Sequence, residues 1–245
     1  MRLFLAGVES HCRYVQIEKA KYVLSSFAYM NNAIKQHIAG FDMFLLDSGA
    51  FTFRKKKGNV DWNDYLSKYI AFIAENNIDY FFELDIDNII GYDNVLLLRN
   101  RLESETNKRC IPVWHTTRGV DNYISMCKEY DYVALGSSTK YKHNDNKQLL
   151  KYLLEIAYNN NCRVHGLGFT PKEIKEHKFY SVDSTTWDGY RYGTLYKYYN
   201  GEVKPIKLPK GKALVRNPKK VTAHNFLEYC KYQKYLDKYC GAWDE

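Results

Sequence analysis

Long apolar runs, closely paired cysteines and internal repeats are all missing from this sequence of 245 residues. No uninterrupted apolar stretch approaches the roughly 18 to 20 residues that a membrane-spanning helix requires, so we expect no membrane contact. The first eight residues faintly imitate a signal peptide, but Glu9 and His11 follow at once, and a first barrel strand explains the stretch better. We therefore expect a cytoplasmic protein.

The six cysteines form no Cys-x-x-Cys pair. A chain of this size needs no disulfide staples, so reduced thiols are expected. Cys230, Cys240 and His224 come nearest to a zinc-binding set, but their spacing matches none of the common patterns. The sequence therefore predicts no metal site and no cofactor.

The length is close to the usual size of one β/α barrel, which is about 250 residues. Hydrophobic residues make up 45% of the chain, which is ample for a core, and no Gly/Ser linker divides it. Short apolar runs recur, and each delivers polar residues or glycine at its C-terminal end; they lie at residues 44–51, 80–87, 111–115, 133–136, 164–168 and 180–183. Because loops after the strands of a barrel converge on one face, this pattern predicts an α/β fold, a (β/α)8 TIM-like barrel, with an active site at its mouth.

Hydrophobic periodicity predicts alternating strands and helices up to Asp183. Strands are expected at residues 2–8, 42–47, 79–84, 110–114, 131–135, 163–167 and 179–182. Helices are expected within 18–38 and at 61–76, 92–106, 120–129, 145–160 and 171–177. A β-hairpin with Asn200-Gly201 as its turn should follow, and then a helical tail from near Thr222. We divide the chain into a catalytic barrel with a late hairpin, residues 1–202, and a basic C-terminal extension, residues 203–245.

The net charge of +8 is concentrated near the C-terminus. Between Val203 and Lys238 there are ten basic residues and two acidic ones, so this stretch alone accounts for the excess. Its aromatic side chains would suit a phosphate backbone with stacking partners, or equally a solvated helix whose tyrosines pack on the barrel. A second basic run, residues 54–57, directly follows the Asp47 loop and favours a polyanionic substrate.

Aspartates follow three of the predicted strands. A mouth holding several carboxylates suits chemistry at a sugar carbon, or acid and base work on a nucleobase. Each residue also has a structural alternative, since Asp47 begins a common tight turn and Asp183 could cap a short one. Of Asp85 and Asp87, one could serve only to orient a loop. His115 and His165 fit satisfied core histidines as well as they fit a base pocket.

Four motifs occur in the order that a known family shows. Asp47-Ser-Gly-Ala-Phe51 is similar to that family's Asp-Ser-Gly-Gly-Phe/Tyr loop, and Gly166-Leu-Gly168-Phe-Thr-Pro171 is similar to its Gly-Val-Gly-Thr-Pro turn. Ser181-Val-Asp183 falls at the family's aspartate-bearing strand end, and Arg191-Tyr-Gly-Thr-Leu-Tyr196 echoes its Arg-x-Gly-x-x-Phe hairpin. Over residues 41–211 the chain thus resembles the queuine-type tRNA-guanine transglycosylases and their DNA-modifying relatives, which exchange guanine for a 7-deazaguanine.

The resemblance implies roles for individual residues. Asp183 would be the nucleophile that displaces guanine from C1′ and forms a glycosyl-enzyme, and Asp47 would be the acid and base. Phe51 would stack on the base, and Asp85 would accept hydrogen bonds from its amine and ring N–H. Further base contacts are implied for His115, where the family has an amide, for Gly136 and Ser137 through the backbone, and for Gly166. His165 stands where the family usually has an apolar residue, and it would also face the base pocket.

Departures from the family favour its DNA-modifying branch. The Cys-x-Cys-x-x-Cys zinc cluster of the tRNA enzymes is missing, Ala50 replaces a glycine, and Thr52 stands where glutamine is usual. Loss of the zinc element removes part of the tRNA docking surface, and basic residues offer another means of holding a backbone. The residues expected there are Arg54, Lys55, Lys56, Lys57, Arg191, Lys219 and Lys220.

The expected partners are DNA, whose target base must be flipped out, and a 7-deazaguanine such as preQ0. A zinc-less tRNA enzyme, a non-catalytic nucleic-acid-binding barrel and a glycosylase that leaves abasic sites stay open as alternatives. So does a homodimer, because family members often pair. The Lys-, Asn- and Tyr-rich composition suits an AT-rich phage genome, and the location would then be the host cytoplasm.

Overall fold

Eight parallel strands form one curled sheet at the centre of the protein. The computed structural model describes residues 1–55, 60–136, 147–170, 174–192, 194–206 and 217–240. The sheet has the order β4-β3-β2-β1-β8-β7-β6-β5, and an isolated parallel bridge between Phe82 and Ile111 joins its two edges. Two hydrogen bonds support the bridge, Ile111 N to Phe81 O at 2.8 Å and Glu83 N to Ile111 O at 3.1 Å. The fold is therefore α/β with a TIM-like curled sheet. The strands are β1 Arg2–Ala6, β2 Tyr22–Ser26, β3 Met43–Asp47, β4 Tyr80–Phe81, β5 Val113–Trp114, β6 Tyr132–Leu135, β7 Arg163–Gly166 and β8 Ser181–Ser184.

Six of these strands lie within the predicted ranges, β8 overlaps the range 179–182 and extends two residues beyond it, and β2 was not predicted. The prediction of a helix within residues 18–38 is wrong for most of that segment, because Tyr22–Ser26 pairs in parallel with both β1 and β3. The helix found there, α1, covers only Asn32–Lys35. The first four residues of β2 are buried, so the strand lacks the alternation that marks a half-exposed one.

The outer layer consists of helices of unequal length. Besides α1 it contains α2 Trp62–Glu75, α3 Asp87–Ile90, α4 Tyr92–Thr106, α5 Gly119–Glu129, α6 Lys147–Asn159 and α7 Pro218–Tyr239. The fully described connection from β1 to β2 contains only two 3-10 turns, Val8–Ser10 and Ile17–Lys19. The expected helix at 171–177 is a 3-10 turn, Ile174–Glu176, in its described part, and residues 171–173 lie outside the described residues. The alternation of strands and helices is thus less regular than predicted.

No helix in the described ranges has the length and apolar character needed to cross a bilayer.

Side chains alternate between two cores, as expected for barrel strands. One core fills the barrel interior, and the other lies between the sheet and the surrounding helices. Phe4 and Ala6 of β1 point inward, whereas Leu3 and Leu5 pack outward. This alternation determines which residue at each strand end faces the mouth. The interior core contains Phe4, Ala6, Tyr22, Leu24, Met43, Leu45, Phe82, Ile111, Val113, Tyr132, Ala134 and Tyr180.

The C-terminal helix α7 packs along the outer face of β1. The Gln233 amide donates hydrogen bonds to Leu3 O at 2.7 Å and Tyr22 O at 2.8 Å, and accepts one from Lys21 N at 2.6 Å. At the other end of the helix, Lys219 Nζ lies 5.8 Å from the ring of Tyr14, which follows β1. The helix is therefore antiparallel to β1, with its N-terminus on the side of the strands' carboxyl ends.

An antiparallel pair of strands covers α7. The strands are β9 Tyr196–Tyr199 and β10 Glu202–Pro205, and Asn200 and Gly201 between them have positive φ values of 46° and 76°. Tyr196 N and Tyr198 N donate to the side chains of Asn225 and Glu228 on α7. The boundary proposed between residues 202 and 203 falls inside β10, and the four residues Phe226, Tyr229, Cys230 and Leu236 of α7 belong to the outer core.

Candidate active site

Two aspartates lie at the mouth where the strands end. Asp47 is the last residue of β3, and Asp183 is the third residue of β8. Burial raises the pKa of Asp47 to about 7, and the negative charges of Asp85, Asp183 and Glu9 act in the same direction against a hydrogen bond from Gly49 N. A carboxyl group with this pKa can both give and take a proton near neutrality.

The carboxylate of Asp183 is held through one oxygen. Its Oδ1 accepts a hydrogen bond from Gly168 N at 2.5 Å and lies 3.3 Å from His165 Nε2. Among the described residues no partner binds Oδ2. Asp183 is 7% exposed, so its surroundings admit little water. One oxygen is thus fixed in place, and the other is left for a reacting group.

A chain of hydrogen bonds lies beneath Asp183. His165 Nδ1 is 2.6 Å from Ser181 Oγ, which is 2.5 Å from the Tyr132 hydroxyl. Both His165 and Ser181 are fully buried, and the rings of Phe4 and Phe82 flank the imidazole at 5.9 Å and 5.3 Å. The sequence left two positions open for His165, in the nucleobase pocket or in the core. The structure places it under the mouth, in contact with the predicted nucleophile.

Asp85 and His115 form a second polar pair at the mouth. His115 Nε2 lies 2.6 Å from Asp85 Oδ1, and the two side chains are 21% and 19% exposed. Burial lowers the pKa of His115, but the hydrogen bond and charge of Asp85 outweigh it, and the net shift is upward. The pair thus places a carboxylate acceptor beside an imidazole at the mouth.

A buried ion-pair network supports this pair from below. Glu83 binds Arg99 Nε at 2.7 Å and accepts from Val113 N at 2.7 Å. Arg118 Nε pairs with Asp87 at 3.1 Å, and its Nη1 donates to Val113 O at 2.6 Å. Asp87, which sequence reasoning left as an alternative to Asp85, is therefore engaged with an arginine.

The ligand atoms of Asp85, Asp87 and His115 lie within 4.8 Å of one another, so these three could also hold a divalent cation.

Two glycines allow close approach at the mouth. A Cβ on Gly136 would lie 2.3 Å from Cε1 of His115, so the imidazole rests directly on this glycine. Gly49, which follows Asp47-Ser48, has φ +70°, and a Cβ there would meet the Ser26 hydroxyl at 2.5 Å. Gly166 was predicted to contact the nucleobase, but it faces the outer core and not the mouth. A Cβ there would meet Phe179 and Phe169.

Sequence reasoning missed Glu9 as a candidate residue. It follows β1, is 9% exposed, and its carboxylate accepts a hydrogen bond from Ser26 N. Burial raises its pKa. It lines a cavity of about 430 Å³ together with Ala6, Gly7, Ser10, Tyr29, Thr185 and Asp188. The signal was present, because Glu9 is a polar residue just after a predicted strand, as Asp47 is.

Several predicted residues lie outside the described part of the structure. These are Lys56, Lys57 and Ser137, together with the side chains of Phe51, Arg54, Lys55 and Arg191. Lys219 and Lys220 are exposed at the N-terminus of α7, on the mouth side of the barrel. The structure thus brings together Asp47, Asp183, Asp85 and His115 at the mouth, with His165 buried beneath Asp183.

Comparison with known proteins leaves the reaction open. No family model and no curated protein matches the chain. Among solved structures, the carboxyl transferase domain of Rhizobium etli pyruvate carboxylase, determined with 3-bromopyruvate, aligns with a TM-score of 0.47 and 13% sequence identity. The alignment covers 74% of this chain and 39% of that one. The reaction must therefore be inferred from the site itself.

Proposed function

We propose that the protein exchanges guanine in DNA for a 7-deazaguanine base, preQ0 or a derivative, through a covalent aspartyl-glycosyl intermediate. The observation that carries the proposal is that the mouth holds two aspartates in different environments, one suited to proton transfer and one suited to nucleophilic attack. Asp47 has a pKa of about 7, and Asp183 presents one oxygen while its other oxygen is fixed by hydrogen bonds. The motif order given above supports guanine as the leaving group.

In the first half-reaction, Asp183 Oδ2 would attack C1′ of the flipped nucleotide. A C–O bond forms, the C1′–N9 bond breaks, and its electron pair leaves with guanine, which takes the proton of the Asp47 carboxyl. The Asp85–His115 pair would bind the guanine edge, with the carboxylate accepting from N–H groups and the imidazole donating to the carbonyl. The nucleotide must leave the duplex stack for C1′ to come within reach.

In the second half-reaction, the ionised Asp47 would remove the N9 proton of the incoming deazaguanine. That nitrogen attacks C1′, the ester bond breaks, and its electron pair returns to Asp183. Asp47 ends protonated, so the cycle is balanced and needs no metal or redox cofactor. Two displacements at C1′ retain the configuration of the sugar.

The backbone of the nucleic acid would lie across the carboxyl ends of the strands. Lys219 and Lys220 stand on that side, next to the N-terminus of a 22-residue helix, whose dipole favours phosphate. DNA is favoured over tRNA because the sequence lacks the zinc cluster of the tRNA enzymes. In this proposal the barrel supplies the chemistry in the cytoplasm, and the hairpin and α7 support the backbone-binding end.

The test is incubation of the purified protein with preQ0 and, separately, duplex DNA, single-stranded DNA or unmodified tRNA, followed by mass spectrometry of the nucleosides. We expect the deazaguanine nucleoside in DNA only. Asp183→Asn should lower the rate by more than about 1,000-fold, while the exposed Asp93→Asn control keeps it.

Each alternative has its own outcome in this experiment. Incorporation into tRNA alone would make the protein a zinc-less tRNA enzyme. Abasic sites with free guanine, even when preQ0 is present, would indicate a glycosylase. Full activity of Asp183→Asn would rule out the proposed mechanism.

A further inference from the structure

We propose that His165 is a positioning residue, which holds the Asp183 carboxylate for attack as the neutral Nε2–H tautomer set by Ser181 and Tyr132. The inference rests on the proposed function, because it assigns Asp183 the role of nucleophile. It adds a role for three buried residues of the barrel interior that act through Asp183 and touch no substrate.

The contacts define a single line through the barrel interior. Tyr132 on β6, His165 on β7 and Ser181 on β8 come from three neighbouring strands, and the register pairs His165 with Ser181 directly. The three are 3%, 0% and 0% exposed, so no bulk water competes for their hydrogen bonds. The line ends at Asp183 Oδ1, two residues beyond Ser181 on the same face of β8.

One direction of donation along this line is consistent with both of its ends. Burial raises the pKa of Tyr132, so its phenol keeps its proton and can donate to Ser181 Oγ. Ser181 can then donate its own proton to His165 Nδ1, which leaves Nε2 protonated and facing Asp183 Oδ1. The reverse arrangement would place a nitrogen lone pair against a carboxylate oxygen, which is repulsive when Asp183 is ionised.

The lower end of this line is anchored by packing. The Tyr132 ring lies against Tyr180 at 5.2 Å and beneath the guanidinium of Arg163, also at 5.2 Å. Arg163 in turn pairs with Asp131 at 2.6 Å. The imidazole itself is flanked by Phe4 and Phe82, so it has little freedom to rotate. Together with Gly168 N, His165 thus prevents the Asp183 carboxylate from turning its second oxygen away from C1′.

Two substitutions separate hydrogen bonding from packing. The amide nitrogen of His165→Gln reaches the position of Nε2 and can still donate to Asp183, whereas the amide of His165→Asn reaches only the position of Nδ1. We expect His165→Asn to lower the rate of covalent intermediate formation about 10- to 100-fold, as for a lost hydrogen bond to a charged group, with KM nearly unchanged. His165→Gln should stay within about threefold of the wild type. Equal losses in both variants, or none in His165→Asn, would overturn the proposal.

Nitrogen NMR of the imidazole tests the tautomer without any catalytic assay. His165 in the wild type, assigned by its disappearance in His165→Gln, should show the neutral Nε2–H pattern, and Ser181→Ala should shift its Nδ1 resonance. An Nδ1–H tautomer or an imidazolium would overturn the proposal. If the Nε2–H tautomer is present but the wild type exchanges no base, the proposed function fails and the hydrogen-bond line stands. If base exchange occurs and His165→Asn is fully active, only the role of His165 fails.

Discussion

The imidazole of His115 lies 2.6 Å from Asp85 through Nε2, and the other side of its ring rests on the backbone of Gly136. The two residues follow β4 and β5, and Gly136 follows β6, so three adjacent strand ends build one polar pair. The position of the ring depends on a residue with no side chain.

Gly136→Ala should therefore impair base binding with little effect on folding. Its Cβ would meet His115 at 2.3 Å, and the ring would have to move away from Asp85. We expect KM for the deazaguanine to rise about tenfold, the cost of one displaced polar contact, with a smaller change in kcat. Steady-state kinetics of base exchange measure both.

Gly40→Ala is the matched control, because no atom lies within 4 Å of a Cβ at that position. Its KM should equal that of the wild type. A normal KM for Gly136→Ala would show that His115 does not depend on this contact.

The raised pKa of Asp47 predicts how stability changes with pH. In the unfolded chain this carboxyl loses its proton near pH 4, whereas in the folded protein it does so near pH 7. The folded state therefore binds an extra proton between these values, and the contribution of Asp47 to stability declines as pH rises through that window. Asp47→Asn should be more stable than the wild type by on the order of 4 kcal/mol at pH 8 and by almost nothing at pH 4.

Urea unfolding of both proteins at pH 4, 6 and 8 gives this difference directly. The exposed Asp93→Asn variant should stay within about 0.5 kcal/mol of the wild type throughout. A constant difference between Asp47→Asn and the wild type would mean that Asp47 ionises in the folded protein as it does in the unfolded one.

The same pKa suits Asp47 for both halves of the proposed cycle. Asp47→Asn should slow turnover by about 100- to 10,000-fold, since neither proton transfer has a carrier. The Asp47→Asn variant should still form some covalent intermediate when the DNA carries a base that can leave without a proton from Asp47. Mass spectrometry of the acid-quenched protein would detect the adduct, and its absence with such a base would place Asp47 in a different role.

Removal of the Glu83 charge should destabilise the protein strongly. Glu83 is fully buried between Arg99 and Arg118, and Glu83→Gln would leave two cations without their shared counter-ion. We expect a loss of about 3 to 5 kcal/mol in the free energy of unfolding. Glu155→Gln, which breaks an exposed pair with Lys151, should cost less than about 1 kcal/mol. Similar costs in the two variants would contradict a buried network.

Salt dependence should identify the end of α7 that binds the backbone. If Lys219 and Lys220 each neutralise one phosphate, their joint replacement by alanine should reduce the slope of log K against log salt by about 1.8. Lys234 and Lys238 are also exposed but lie toward the opposite end of the barrel, so replacing both should leave the slope unchanged. Equal effects in the two double variants would place DNA along the whole helix. Fluorescence anisotropy with labelled duplex DNA provides the measurement.

Local patterns predicted much of the fold. The helix predicted at residues 61–76 is present as α2, and the carboxylate of Asp61 caps it by accepting hydrogen bonds from Asn63 N and Asp64 N. The strand β2 was missed because its burial in the sheet removes the polar alternation that identifies a strand, and nearby Glu18, Lys19 and Lys21 suggest a helix surface.

The site could be predicted only in part. Polar residues directly after strands, such as Asp47 and Asp85, are visible in the sequence, and Glu9 could have been found in the same way. The line from Tyr132 to Asp183 could not, because it depends on strand register, which brings residues 49 positions apart into contact. The close contact between Gly136 and the His115 ring depends in the same way on the pairing of β5 with β6.

The amide of Gln233 links three backbone groups at the first two strands, more than 210 positions earlier in the chain. During synthesis, the outer face of β1 therefore lacks the cover of α7 until α7 has left the ribosome. Contacts that span such distances form late and slowly. A nascent barrel of this kind would carry an exposed apolar strand for most of its translation, and we expect it to depend on chaperones that shield such surfaces.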